Sequence, residues 1–160
     1  YYALTGADFT LSRRLTASTR FGATFRDQDD STGTSAIPYA EGSLNYALTK
    51  TSQVSANVRY GYNDNGSTGQ ESTKSTRAGV AYSQSLTPHL RGTLSLNGNF
   101  VESGVFTPRE DTISASAGLQ YDVSKYLSVF ATYNQIRELS SADTLEYTKN
   151  IYYLGATYTY

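Results

Sequence analysis

The chain holds one histidine, no cysteine and fourteen carboxylates, so the acid–base and nucleophilic chemistry open to it is narrow. A hydrolytic site needs a base within hydrogen-bond reach of its nucleophile. The sole histidine is His89, next to Pro88 in the short stretch Ser85–His89 that reads as a turn. Isolated in a turn, it reads as a solvated surface group rather than a general base. With no cysteine, no thiol nucleophile, disulfide framework or thiolate metal site is possible. Asp29-Asp30 and Glu71 could suggest calcium or a carboxylate dyad, but they lack the regular ligand spacing of a calcium loop. They read as solvated loop. The Ser- and Gly-rich stretches carry no phosphate-binding motif between a strand and a helix. No catalytic residue, metal site or cofactor follows from the sequence.

One set of charges is patterned instead. Arg20, Arg26, Arg59, Arg77 and Arg91 share a sequence phase with Asp8, Glu41 and Asp122. That phase is the polar half of a period-2 alternation, the mark of a strand with one apolar face. Over 15–26, Leu15, Ala17, Thr19, Phe21, Ala23 and Phe25 oppose Thr16, Ser18, Arg20, Thr24 and Arg26. In the fourth strand Val54, Ala56, Val58, Tyr60 and Tyr62 oppose Ser55, Asn57, Arg59 and Asn63. The sixth sets Leu90, Leu94, Leu96 and Phe100 against Arg91, Thr93, Ser95, Asn97 and Asn99. The seventh sets Ile113, Ala115, Ala117, Leu119, Tyr121 and Val123 against Thr112, Ser114, Ser116, Gln120 and Asp122. Weaker strands in phase are expected at 1–11, 39–48, 75–84, 127–136 and 147–160.

These elements repeat. The pairs Phe9–Ser12, Tyr46–Thr49, Tyr82–Ser85 and Tyr121–Ser124 recur at spacings of 37, 36 and 39 residues, each closing one strand and opening the next. Short turns are therefore expected near 12–14, 49–52, 85–89 and 124–126, and long polar loops at 27–38, 64–74, 103–110 and 137–146. A tandem array of hairpins, short turns at one end and long loops at the other, is the plan of a transmembrane β-barrel. Composition permits it. Hydrophobic residues make up 38% and mean hydropathy is −0.46, yet there are 15 Tyr, 13 Gly and only 3 Pro. Only alternate residues of such a barrel face lipid, so no long apolar run is needed. A net charge of −1 gives no electrostatic case for nucleic acid.

The apolar phase carries Ala, Val, Leu and Gly in mid-strand and aromatics at its ends. Phe9, Tyr46, Tyr82 and Tyr121 lie toward the short turns, and Phe25, Tyr62, Phe100 and Tyr133 toward the loops. Val54 to Tyr62 spans roughly 20 Å along a membrane normal for a tilted strand, so two aromatic girdles one hydrocarbon thickness apart are predicted. In the alternative, a soluble ligand-binding β-barrel, the apolar face would point inward, and it would carry larger residues there.

The end of the chain, with Tyr152, Leu154, Ala156, Tyr158 and Tyr160 on one face, resembles the C-terminal strand of Gram-negative outer-membrane proteins. The resemblance implies that Tyr158 and Tyr160 form a signal read by the barrel-assembly machinery. The stretches LSRRLTASTRFGATFRD and NIYYLGATYTY are similar to β-barrel porin families, some associated with exopolysaccharide export. A departure is the absence of Trp, which commonly shares girdle positions with Tyr.

The expected architecture is all-β, one antiparallel transmembrane barrel domain over 1–160 in the bacterial outer membrane, in contact with its lipid. Within it Arg20, Glu41, Arg59, Arg77, Arg91, Asn97 and Asp122 would line a hydrated lumen, since buried charges must pair or meet water. Two readings of that lining stand side by side: interstrand ion pairs that stiffen the wall, and a mildly cationic pore favouring anionic solutes or polysaccharide. The corresponding functions are a non-enzymatic porin-like channel or export conduit, and a structural barrel that sheaths or anchors a partner. Nine strands would leave the two termini on opposite sides of the membrane, whereas single-chain bacterial barrels have an even number. The start at Tyr1-Tyr2-Ala3, without initiator Met or signal peptide, fits a processed or truncated form. Further strands, from the same polypeptide or a neighbouring chain, are expected to complete the barrel.

Overall fold

In the computed structural model, which describes residues 2–27, 34–63, 73–102, 110–140 and 146–160, nine strands form one antiparallel sheet in chain order. They are β1 Tyr2–Ser12, β2 Leu15–Asp27, β3 Thr34–Ala47, β4 Ser52–Asn63, β5 Thr73–Ser85, β6 Leu90–Val101, β7 Glu110–Asp122, β8 Leu127–Ser140 and β9 Tyr147–Tyr158. No helix occurs among the described residues. Each strand is hydrogen-bonded only to its sequence neighbours, so β1 and β9 are open edges and the sheet is not closed.

The short turns fall where the repeat predicts, and the reason is local. A Ser or Thr hydroxyl near the start of each turn accepts backbone N–H groups that would otherwise be left over. Ser12 Oγ accepts from Arg14 N at 3.2 Å, and Thr49 Oγ1 from Thr51 N at 3.2 Å. Ser124 Oγ accepts from both Tyr126 N and Leu127 N, at 3.2 and 3.1 Å. In the β5–β6 turn Thr87 takes this part, accepting from His89 N at 3.3 Å and Leu90 N at 3.0 Å. There the motif hydroxyl, Ser85, instead ends the strand.

Two strands run well past the alternation, into stretches expected to be loop: β3 begins at Thr34 rather than 39, and β8 continues to Ser140 rather than 136. Smaller differences are β5, which spans Thr73–Ser85 rather than 75–84, and β9, which ends at Tyr158 rather than 160. β3 passes through Pro38, which pairs with Ala23 on β2, while pairing to β4 starts only at Ala40. Pro38 thus lies on a one-sided stretch of ladder, where a missing N–H costs little. The polar end of β8 is held between two ladders, with Arg137 opposite both Ile113 and Thr148. Residues 28–33, 64–72, 103–109 and 141–145, the centres of the expected loops, lie outside the described residues, as do Asp29-Asp30 and Glu71.

The register fixes what each face carries. On one face stand rows such as Leu44–Ala56–Val80–Leu96–Ala115, and on the other Ser43–Asn57–Gly79–Asn97–Ser114. Extended contacts run only between neighbouring strands, so among the described residues no second layer covers the apolar side. Val58 is 49% exposed, Leu94 56% and Leu119 52%, and among the described residues no large side chain is fully buried. An exposed apolar face of this extent marks a surface for lipid or another apolar partner.

Nitroxide labels at Ala56, Val58, Leu94 and Leu96 should therefore be relaxed by oxygen dissolved in lipid, and labels at Arg59 and Asn97 by a water-soluble nickel chelate. Shielding of positions 58 and 94 from oxygen would reject a lipid-facing surface. Adjacent substitutions should also differ sharply. Val58→Arg should destabilise the protein in bilayers by roughly 2–4 kcal/mol, the cost of a cation at mid-depth on a lipid face, and Asn57→Arg far less, by urea unfolding.

Candidate functional site: the polar wall

Because residues opposite one another in an antiparallel pair share a face, the ladder can be followed across the sheet as continuous rows. One row reads Gly6, Arg20, Glu41, Arg59, Arg77, Asn99, Thr112, Glu138 and Tyr147. Four residues predicted to line a lumen, Arg20, Glu41, Arg59 and Arg77, are thus consecutive across β2 to β5. Asn97 lies in the adjoining row, opposite Gly79 and Ser114. Arg91 stands near the short turns, opposite Ser85 and Gln120. Asp122 lies beyond it, opposite Ser128, and accepts a hydrogen bond from Gln120 Nε2 at 3.2 Å. The side chain of Arg26 lies outside the described ones.

Glu41 organises one end of the charged row. Its Oε1 is 3.9 Å from Arg20 Nη1, and its Oε2 accepts from the Tyr39 hydroxyl. The Arg59 guanidinium lies over the Tyr39 ring, 5.3 Å from the centroid, a cation–π distance. Arg77 donates its Nε to Asn99 Oδ1 at 3.2 Å. The Arg20–Glu41 pair is half-exposed, with side chains 54% and 34% accessible, so its attraction is screened and it orients more than it stabilises. Elsewhere the wall is hydroxyl-rich, with Ser18–Ser43 at 2.7 Å and Ser95–Ser116 at 2.6 Å.

Tyr39 was not anticipated, and neither was Phe130. Both are aromatics on the polar face, each seated against a glycine. A Cβ at Gly61 would stand 2.9 Å from Tyr39 Cδ2, and one at Gly155 would run into the Phe130 ring. Phe130 is opposite Gly155 in the β8–β9 ladder. The signal for such pairs is an aromatic facing a glycine on the next strand, which appears only once the register is known.

The opposite face is bounded by tyrosine hydroxyls. Tyr82 donates to Gln84 Oε1 at 2.6 Å, toward the short turns. At the other end Tyr60 donates to Glu102 Oε1 at 3.2 Å, and Glu102 pairs with Lys74 at 4.0 Å. Tyr133 donates to Asn150 Oδ1 at 2.9 Å, and its ring centroid lies 5.0 Å from that of Tyr152. Tyr133 lies mid-way along β8, and beyond it this face of the strand turns polar at Gln135 and Arg137. Tyr46 pairs with Leu15 and Val54, Tyr121 with Leu90 and Val129, and Phe9 with Ala17. Phe25 is opposite Ala36, and Phe100 is opposite Thr76 and Asp111. Tyr62 pairs with Lys74 in the ladder, but its side chain lies outside the described ones. Tyr158 is opposite Leu127, with its ring 6.5 Å from Tyr126, and Tyr160 is fully exposed.

His89 is exposed in the β5–β6 turn, with its amide committed to Thr87. Among the described residues no group of three or more His, Asp or Glu converges in a metal-binding arrangement.

No curated protein and no solved structure matches the chain. A family model, described as Putative beta-barrel porin 2, matches it over residues 1–160. A one-sheet antiparallel array with a largely polar face on one side and an exposed apolar face on the other accords with such a family, and the chain belongs to the family of Putative beta-barrel porin 2.

Proposed function

We propose that this chain forms part of the wall of a bacterial outer-membrane barrel that conducts solutes as a porin-like channel or export conduit, without enzymatic activity. The observation that carries the reading is the Arg20–Glu41–Arg59–Arg77–Asn99 row, set on the face opposite the apolar one. Membership of a porin family supports it. That stretch of the row holds three guanidiniums and one carboxylate, which biases the local potential toward anions. The Arg20–Glu41 pair and the Arg59–Tyr39 stack favour a second reading, in which the same groups brace a barrel that sheaths a partner.

Either role requires closure, because unpaired backbone groups in hydrocarbon cost several kcal/mol each. β1 and β9 run in the same direction, so joining them directly would need a parallel seam. An odd number of additional strands keeps every seam antiparallel. Such strands, from the same polypeptide or a neighbouring chain, are part of the proposal. So is recognition of Tyr158 and Tyr160 by the barrel-assembly machinery.

Protein extracted from outer membranes should conduct in planar bilayers. Replacing Arg20, Arg59 and Arg91 together by Ser should shift the reversal potential away from anion preference. That shift should shrink at high salt, since screening acts over ~8 Å at physiological ionic strength. Absence of conductance together with a tightly co-purifying partner would favour the sheath. No turnover of ester, peptide or phospholipid substrates is expected. Hydrolysis that disappears in His89→Ala would overturn the non-enzymatic reading.

A further inference from the structure

The short turns differ in charge from the other end of the sheet. Arg13, Arg14, Lys50 and Lys125 lie in them, and no carboxylate does. Toward the loops, Glu102, Asp111, Glu138 and Glu146 stand among Lys74, Arg137 and Lys149. The turn side is the positive end of this wall.

At that end the polar face carries a cavity of about 480 Å³. Its lining includes Lys50, Thr51, Gln53, Ser83, Ser85 and Arg91, and no carboxylate. The ladder explains why these residues meet. Arg91 is opposite Ser85, and Ser85 N donates to Thr51 O at 2.8 Å. The β3–β4 turn is thereby drawn against the end of β5, with Lys50 beside Thr51. Within the turn, Thr49 Oγ1 accepts from Thr51 N at 3.2 Å and shares a hydrogen bond of 2.7 Å with Ser52 Oγ. The next row on this face, Gln53–Ser83–Thr93, supplies the other side of the cavity.

Among the described residues neither Lys50 nor Arg91 has an ion-pair partner. Both are exposed. The carboxylate nearest Arg91 in the ladder is Asp122, which follows two residues after its partner Gln120. Asp122 lies outside the cavity and accepts from Gln120 Nε2. The remaining polar lining is hydroxyl and carboxamide, groups that can donate as well as accept. A cavity of this size lies in the range that holds small organic molecules, which is more room than a bare ion needs.

We propose that this cavity is a capture site, at the short-turn mouth, for a small hydroxylated organic anion. Lys50 and Arg91 hold its phosphate or carboxylate, and Thr51, Gln53, Ser83 and Ser85 bond its hydroxyls. The site deepens the channel reading and rests on it for access to solute. Short turns of outer-membrane barrels face the periplasm, so the anion is taken up from the cell side, as an export conduit requires.

The test is a titration of the nitrogen-labelled protein in detergent micelles with glycerol phosphate, inorganic phosphate or glycerol, at constant ionic strength. Glycerol phosphate should shift the Arg91 Nε–H and Lys50 amide resonances saturably and leave Arg20 Nε–H unmoved. Inorganic phosphate should bind about tenfold more weakly, and glycerol should not bind detectably. Lys50→Gln and Arg91→Gln should each weaken glycerol phosphate binding by about tenfold. Arg13→Gln removes a cation from a neighbouring turn outside the cavity, and should change binding by less than about twofold, because such a charge acts only through a screened field. If Arg91→Gln fails to fold, Lys50→Gln decides alone. Equal losses in all three variants, or wild-type binding in Lys50→Gln, would overturn the site. Inorganic phosphate binding as tightly as glycerol phosphate would overturn capture of an organic solute. In oriented bilayers glycerol phosphate should block chloride current at a lower concentration from the short-turn side than from the loop side. Saturable binding in a protein that does not conduct would reject the channel and leave the site standing; conductance without saturable binding would do the reverse.

Discussion

A strand that slips by one residue against its neighbour exchanges its two faces, because side chains alternate with a period of two. In this sheet such a slip would carry Arg59 into the place of Val58 and expose a guanidinium where leucines and alanines stand. The eight ladders therefore act as a single constraint, each inheriting its phase from the last. The turn hydroxyls matter in this light. Ser12, Thr49, Thr87 and Ser124 each fix the few residues that decide which pair comes first in the following ladder. Hydrogen bonds worth only about 1 kcal/mol apiece thereby protect a segregation of faces worth far more.

That segregation reconciles a hydrophilic average with a membrane-compatible surface. A mean hydropathy of −0.46 is the average of two unlike walls, and neither wall resembles it. The apolar face gives way to polar groups at tyrosines whose hydroxyls donate to them. Tyr82 reaches toward the turns; Tyr60 and Tyr133 reach toward the loops. Tyr suits this task because ring and hydroxyl prefer different surroundings. The absence of Trp leaves it entirely to Tyr and Phe.

Strand number, order and facing were legible in the sequence wherever alternation was clean, as from Leu15 to Arg26 and from Val54 to Tyr62. Two kinds of feature were not. The ends of β3 and β8 look like loop because Pro38, Arg137 and Glu138 are poor strand residues in isolation, and only their ladder partners make them strand. The charged row and the glycine hollows are non-local. Arg20, Glu41, Arg59 and Arg77 could be placed on the polar phase from sequence, but their alignment depends on the register of three successive ladders. Tyr39 and Phe130 gain their places from Gly61 and Gly155, each on the neighbouring strand. The aromatic-to-hydroxyl spacing identified the turns, yet Thr87 shows that the hydroxyl can shift by two residues and still serve.

The repeat unit has a bearing on ancestry. Each unit of about 37 residues is a whole hairpin that leaves and returns on the same side, so copying or deleting one changes the circumference by two strands and inverts nothing. Bore and membrane orientation are thereby uncoupled. A lineage built this way can widen or narrow its aperture by gene duplication, while the rules for inserting and sealing the cylinder stay the same.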